Sequence, residues 1–338
     1  MSCNDSDGDF KLAMMSSNNE LQLFPVAAPR KLVRPEGFAV AATGVTLDGE
    51  AIHLLVSHGS NELLTGRITQ PGWASFPKTH TDVAYSSIFV ISDSSGSRQI
   101  ELRGLTATFP LIDLLPQDRI LVVASRCFRH QDGTHELNAS IFGPDGSERQ
   151  KFLLGDGLSH VQVDKEENIW VGYHDEGVFG NFGWQQPGGP FGRAGLSCFT
   201  PSGQKTWDFS PPDGFDYIAD CYALNVAQSG AWAYYYSDFP VALIDSDRNV
   251  RCWSTESAGA KTFAVGDGKV LLYGGYGEQR NECTLLHLAD TDAPLIAKVS
   301  LCLPAGVDPL RTKVIGRNNQ LHLFFEDDWF VFSVDSLG

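Results

Sequence analysis

The sequence predicts an all-β chain: a β-propeller of six four-stranded blades, its ring closed by an N-terminal strand. Three observations carry this. A hairpin unit recurs along the chain. A second hairpin with a polar tip follows most copies. No segment holds the apolar period of an amphipathic helix over a useful length.

The first hairpin occurs as LIDLLPQDRILVVA (111–124), HVQVDKEENIWVGY (160–173), YALNVAQSGAWAYY (222–235), TFAVGDGKVLLYGG (262–275) and KVIGRNNQLHLFFE (313–326). A less regular copy is FAVAATGVTLDGEAIHLLVS (38–57). In each, apolar strands flank a turn built from Gly, Asn or Asp, residues that accept tight backbone geometry. The second hairpin occurs as IFVISDSSGSRQIEL (88–102), SIFGPDGSERQKF (140–152), LSCFTPSGQKTWDF (196–209), VALIDSDRNVRCW (241–253) and TLLHLADTDAPLIAKV (284–299). Two hairpins make four strands, and a four-stranded repeat of roughly 40–60 residues is a propeller blade. The last copy, 313–335, holds about three strands, so the segment Glu20–Val26 is expected to supply the fourth. Residues 1–19 read as a flexible tail and 20–338 as one domain, with blades at about 36–104, 109–155, 158–210, 217–256, 260–300 and 312–338 plus 20–33. Residues 1–35 and 66–87 fit no clear pattern and leave five or seven blades open. A pair of β-sandwiches is the alternative fold, but it accounts less well for the regular alternation of hairpins.

Composition bounds the function. With 42% hydrophobic and 20% charged residues over 338 positions, the chain is globular and long enough to bury a large core. The net charge of -16, from 25 Lys+Arg against 41 Asp+Glu, repels phosphate backbones and anionic lipid. Nucleic acid and membrane are therefore not expected as partners, whereas a basic protein or a cation would be attracted. The seven cysteines form no CxxC pair and no zinc-ligand spacing, and most sit in apolar runs such as LSCFT. They read as free buried thiols of a reducing compartment. The N-terminus MSCNDSDGDFKLAMMSSNNE lacks the basic and apolar parts of a signal peptide. No stretch approaches the ~20 apolar residues that span a bilayer. A cytoplasmic protein is expected.

In a propeller, strand a lines the central channel and strands b, c and d step outward. The b–c and d–a connections share one face. The segment HDEGVFGNFGWQQPGGPFGRAG (174–195) is the b–c connection of blade 3 and exceeds the ~12–15 residues beyond which a structureless loop is unusual. Its aromatic residues predict a packed loop. Its glycines permit left-handed turns and close approach of a ligand. The other b–c connections, SHGSNE (57–62), SRCFRHQDGTHE (125–136), YSDFP (236–240), YGEQRNE (276–282) and EDD (326–328), carry much of the remaining side-chain chemistry. The d–a connections add Asp156, His160, Asp216 and Asp220 to the same rim.

On this basis the candidate binding residues are His174, Asp175, Glu176, Asn181, Phe182, Trp184, Arg193, Asp220, Tyr236 and Asp238. Phe182, Trp184, Tyr217, Tyr222, Tyr236 and Tyr276 are aromatics suited to stack on a sugar or grip a peptide, although WAYYY (232–236) reads mainly as a strand with alternate rings buried and Phe182 and Trp184 fit loop packing equally well; one of Arg126, Arg129, Arg193 and Arg280 would pair with a ligand carboxylate. Asp175, Glu176, Asp220 and Asp238 are the acids that would hold a divalent cation at the channel mouth, the one cofactor that these residue types suit. The same acids at loop ends also serve as ordinary caps, and no metal-site fingerprint accompanies them. No GxSxG occurs, and the Ser–His neighbours in DGLSH and SHGS point to opposite sides of an extended chain, so nucleophilic catalysis has no signal. The separation of paired carboxylates for glycoside cleavage is not visible in a sequence.

The stretches NIWVGYHDEGVFGNFGW, RAGLSCFTPSGQKTWDF and DCYALNVAQSGAWAYYYSDFP resemble an uncharacterised bacterial family of β-propeller-like proteins over residues 155–245. The resemblance implies a propeller fold and a cytoplasmic bacterial origin, and it carries no activity with it.

The expected function is therefore binding of a small-molecule ligand or another protein on the b–c face, dominated by 174–195. Two further readings stay open: a metal-assisted hydrolase or lyase at the channel mouth, and an acidic neutraliser, of the immunity type, of a basic toxin or enzyme. Whether the chain is an enzyme is left undecided by its residues.

Overall fold

The structure is a computed structural model that describes residues 21–69, 72 and 74–337. The expected flexible tail, 1–19, lies outside the described residues.

Six sheets form six blades. Blade 1 runs Phe38–Val45, Ala51–Ser57, His80–Ser92, Ser97–Ala107; blade 2 Pro110–Leu115, Arg119–Ala124, Ala139–Phe142, Glu148–Phe152; blade 3 Leu158–Val163, Ile169–Tyr173, Leu196–Phe199, Lys205–Asp208. Blade 4 runs Asp220–Ala227, Gly230–Tyr236, Val241–Ile244, Val250–Trp253; blade 5 Thr262–Gly266, Lys269–Tyr273, Cys283–His287, Leu295–Cys302; blade 6 Lys313–Arg317, Gln320–Phe325, Asp328–Ser333. Inner strands touch their neighbours in order around the ring, and blade 6 returns to blade 1.

The closing strand differs from the expected one. Blade 6 is completed by Arg30–Lys31, which pairs antiparallel with Trp329 and Asp328. Leu21–Pro25 instead adds a fifth, outermost strand to blade 5, parallel to Lys298–Cys302. Alternating apolar residues mark a strand but not its partner. Here the backbone of Leu21–Pro25 pairs with blade 5 while Phe24 packs edge-on against Phe332 of blade 6, and Arg30 lies over the Trp329 ring. The uncertain stretch 66–87 holds a small hairpin, Arg67–Ile68 with Phe76–Pro77, inside the b–c connection of blade 1.

Each apolar core lies between two adjacent blades, so the second strands are buried on both faces and read as continuous apolar runs. The turns explain the polar tips. In blade 3 Asp164 accepts from the amides of Glu166 and Asn168, and in blade 4 Asp245 accepts from those of Asp247 and Asn249. These are Asx turns, which is why aspartate recurs there.

At the a–b end of the channel, the turn of blade 6 ties the ring together. Arg317 reaches across to donate to the Val163 carbonyl of blade 3 at 2.6 Å and faces Asp113 of blade 2 at 3.5 Å. Asn318 donates through Nδ2 to the Leu47 carbonyl of blade 1 at 2.7 Å. Its backbone nitrogen donates to Asn225 Oδ1 of blade 4 at 2.8 Å, and its carbonyl accepts from Val265 N of blade 5 at 2.9 Å. Asn225 Nδ2 donates back to the Asn318 and Phe263 carbonyls. Two consecutive residues thus contact all six blades. Gly316, just before them, is required by close approach: a Cβ there would lie 1.8 Å from the Phe263 carbonyl oxygen.

The seam between blades 6 and 1 has a smaller core, built on Val45, Ala51, Phe324 and Trp329. Two histidines are buried beside it. His53 Nδ1 meets Thr43 Oγ1 at 3.2 Å, His322 Nδ1 accepts from Trp329 Nε1 at 3.1 Å, and Nε2 of each has no partner. Burial first, then nearby cations, pull their pKa values down, to about 4 for His53 and about 3 for His322.

Two outcomes are expected. Asn318 has φ 52, a conformation asparagine tolerates better than alanine. Asn318→Ala should lower unfolding free energy by about 2–4 kcal/mol in urea titrations, and Asn318→Gly should recover roughly 1 kcal/mol of that loss, because glycine keeps the backbone without the side-chain bonds. The histidines set the acid side. Below the ordinary histidine range the unfolded chain binds protons that the folded chain refuses, so stability falls as pH drops, by about 2 kcal/mol per histidine between pH 6.5 and 5. A variant carrying His53→Gln and His322→Gln should show a flatter slope over that window, with lower stability at neutral pH.

Candidate functional site

The b–c connections are 58–79, 125–138, 174–195, 237–240, 274–282 and 326–327. The first three are the long ones and belong to adjacent blades. They meet over the channel rim, around a cavity of ≈ 580 Å³ lined by Arg67, Phe76, Phe109, Arg126, His174, Asp175 and Glu176, among others.

The 174–195 loop is folded onto its neighbours. It opens with a short helix, Asp175–Phe179, capped by His174, whose ring nitrogen accepts from the Glu176 amide. It leans on the blade 2 loop through Arg129 N, which donates to the Phe182 carbonyl at 2.9 Å. Gly183 has φ 88, and a Cβ there would sit 1.9 Å from the Arg129 carbonyl oxygen, so this contact requires glycine. Trp184 is buried; its Nε1 donates to the Cys127 carbonyl at 2.8 Å. Phe191 stacks on Phe199 and lies under the Lys205 ammonium.

Arg126 organises the site. Its guanidinium forks onto Asp156, Nε to Oδ1 and Nη2 to Oδ2, both at 2.9 Å, and both side chains are buried. The remaining Nη1 donates to Glu176. The ring of Phe182 lies over the guanidinium, 4.4 Å from centroid to Cζ, and the edges of Phe76 and Phe128 meet Phe182. Burial pushes the Asp156 carboxyl up, and the Arg126 charge and the Cys127 amide pull it back only part of the way. For Glu176 burial also acts upward, but the hydrogen bonds from Arg126 and Asn181 and the Arg126 charge win, and its pKa lies below the ordinary carboxylate value. Asp220 is pushed up, first by burial and then by the negative charge of Asp175, and His174 opposes this. Phe109 and Phe182 both have positive φ, 46 and 45, strain that bulky residues carry only where surroundings impose it.

The structure thus brings His174, Asp175, Glu176, Asn181 and Phe182 together, with Asp220 within electrostatic reach of Asp175 and His174. Trp184 anchors the loop from beneath and presents no ring to solvent. Arg193 is exposed on the later part of the loop. Tyr236 and Asp238 belong to another cluster: Tyr222, Tyr234, Tyr236 and Tyr276 surround Phe239, and Tyr222 and Tyr276 share a hydroxyl hydrogen bond of 2.7 Å. The acids considered for a cation do not converge. Glu176 is committed to Arg126, and among the described residues no group of three or more His, Cys, Asp or Glu side chains has the geometry to hold a metal ion. Sequence reasoning missed Arg67, Phe76 and Phe109, because the hairpin carrying the first two is short and irregular.

A model of the YxzG family matches residues 195–323, from the outer half of blade 3 to the second strand of blade 6. That is less than half of the chain, and it overlaps the resemblance read from 155–245. No curated protein matches the chain. Among solved structures, a virginiamycin B lyase from Staphylococcus aureus is 10% identical, with 90% of this chain and 97% of that one covered at a TM-score of 0.45. The β-propeller domain of a trilobed protease from Pyrococcus furiosus is 10% identical, with 88% and 83% covered at 0.42. A gluconolactonase from Xanthomonas campestris is 13% identical, with 90% and 99% covered at 0.37.

Because the folded state favours ionised Glu176, that carboxylate stabilises the fold above the ordinary glutamate range and ceases to as pH falls through its lowered folded value. Glu176→Gln should reduce the loss of stability between about pH 5 and pH 3 in denaturant titrations. Arg126→Ala should be far more costly, about 3–5 kcal/mol, because it leaves Asp156 buried without its partner.

Proposed function

We propose that this propeller is a binding protein whose b–c face takes a ligand in the cavity between the Arg67–Pro77 hairpin and the Asp175–Phe179 helix. The observation that carries the reading is the convergence of three long loops from adjacent blades on one cavity. On the opposite face the turns are short Asx and glycine turns. The cavity combines aromatic surface from Phe76 and Phe109 with the exposed carboxylate of Asp175 and the ring of His174. That lining suits a ligand with an apolar body and a cationic group, either a small amine or a basic side chain of another protein.

The charge of -16 favours the second source and supports the neutraliser reading as its special case. A reducing cytoplasmic setting is consistent with Cys127, Cys198, Cys221, Cys252 and Cys283, which are free and buried. No helix among the described residues is long and apolar enough to cross a membrane.

The test is a ligand-observed NMR screen of aromatic and aliphatic amines against the whole chain. Hits should compete with one another and weaken at least about tenfold when Phe76→Ala and Asp175→Asn are combined. Absence of hits, or hits that bind the double variant equally, would refute this site. Weak amines alongside tight, salt-sensitive binding of a basic protein would favour the protein source.

A further inference from the structure

The inner strands enclose a second cavity, ≈ 230 Å³, on the channel axis, to which all six blades contribute. It lies directly below the loop cavity on the blade 2 and 3 side: Phe109 and Leu158 line the upper one, and the next residues, Pro110 and Ser159, line the lower. Arg317 and Asn318 close its far end, so it opens toward the b–c face. Its lining departs from the charge of the molecule. Lys261 and Lys313 stand in the lining, the first just before the inner strand of blade 5 and the second opening that of blade 6. Neither forms an ion pair with an acidic side chain among the described residues, although acids outnumber bases 41 to 25 in the chain. Lys313 Nζ donates only to the Thr43 carbonyl, at 3.2 Å. It is wetted along the channel yet walled by protein, and that loss of bulk water pulls its pKa down. At the floor, Arg317 is buried with Nε and Nη1 lacking any partner.

Among the described residues, the one carboxylate lining the cavity is Asp113. It is occupied, by Arg317 on one oxygen and by the amides of Val163 and Leu114, both at 2.7 Å. Asp48 and Asp164 act on Arg317 from the a–b turns beneath. His160, also in the lining, is held neutral by burial, its pKa about 4. Gln162 is engaged by the Leu224 carbonyl and the Val226 amide, Thr43 by His53 and Thr262 by the Gly316 amide, which leaves the hydroxyl of Ser159 as a donor for an anion.

We propose that this channel pocket binds a small organic or inorganic anion, a carboxylate or a phosphate, with Lys261 and Lys313 as its charge partners. The site is independent of the amine-binding reading of the upper cavity. Two lysines without acidic partners among the described residues line one pocket, and an anion bound there supplies the counter-charge that neither finds in the chain.

Calorimetric titration of the whole chain with inorganic phosphate and with succinate tests this, each against sodium chloride at matched ionic strength. Saturable one-to-one binding is expected for at least one of the two, and the stronger of them identifies the headgroup. Lys261→Gln and Lys313→Gln should each weaken it about tenfold or more, while the surface change Lys165→Gln and the upper-cavity pair Phe76→Ala with Asp175→Asn should leave it unchanged. Circular dichroism verifies that each lysine variant is folded, and either single variant suffices if the other is not. No saturable binding of either anion, or binding indifferent to both lysines, overturns the proposal.

Discussion

The structure depends on the bonding of Arg317 and Asn318 at one end of the channel. A propeller otherwise holds together through pairwise cores, each shared by two neighbours and blind to the rest of the ring. Here one short turn reaches every blade, so the radial positions of six sheets are referred to a single point. Directional hydrogen bonds do this better than apolar packing, because a carbonyl at 2.7 Å tolerates little displacement. The arrangement also makes the channel one-ended. Whatever enters meets a floor and leaves by the face through which it came.

That face is built from a second set of polar constraints. Arg126 is saturated by two carboxylates and an aromatic ring, and it acts as a fastener rather than as a free cation. It joins the blade 2 loop to the helix of the blade 3 loop, while Trp184 secures the same junction from below. A loop rich in glycine thereby becomes a defined wall. The strained backbones of Phe109 and Phe182 lie along it, and such strain persists only where packing over-determines it.

Much of the architecture was legible because it rests on local rules. Alternation and turn chemistry marked the hairpins, and their repetition marked the blades. The b–c connections of blades 2 to 6 emerged close to the expected places because strand phasing follows from the hairpins, whereas that of blade 1, expected at 57–62, runs on to 79. What escaped was pairing between distant segments. Leu21–Pro25 reads as a strand in either blade, and only its contact with blade 5 decides; the two residues that do close the ring are too few to show a period. Within the site, His174 and Glu176 stood out by type, but the reason for their placement is Arg126, which lies some fifty positions earlier. Trp184 shows the converse: an aromatic residue in a loop, chemically suited to a ligand, proves to be the loop's own core. The channel lysines carried a signal that alignment of the repeats would have revealed, since a lysine opens the inner strand in blade 6 and immediately precedes it in blade 5.

The seam has a temporal side. Residues 21–31 are made well before their partners, which lie in 295–302 and 328–333. Until those segments exist, the strand Leu21–Pro25 has no sheet to join and Phe24 no ring to pack on. Blades 1 to 4 have all their strands before that moment, whereas blade 6 lacks its outer one until the two ends of the chain meet. Without residues 328–333, Arg30–Lys31 has no strand to pair with and Phe24 loses the Phe332 ring, so closure of blade 6 waits on both segments.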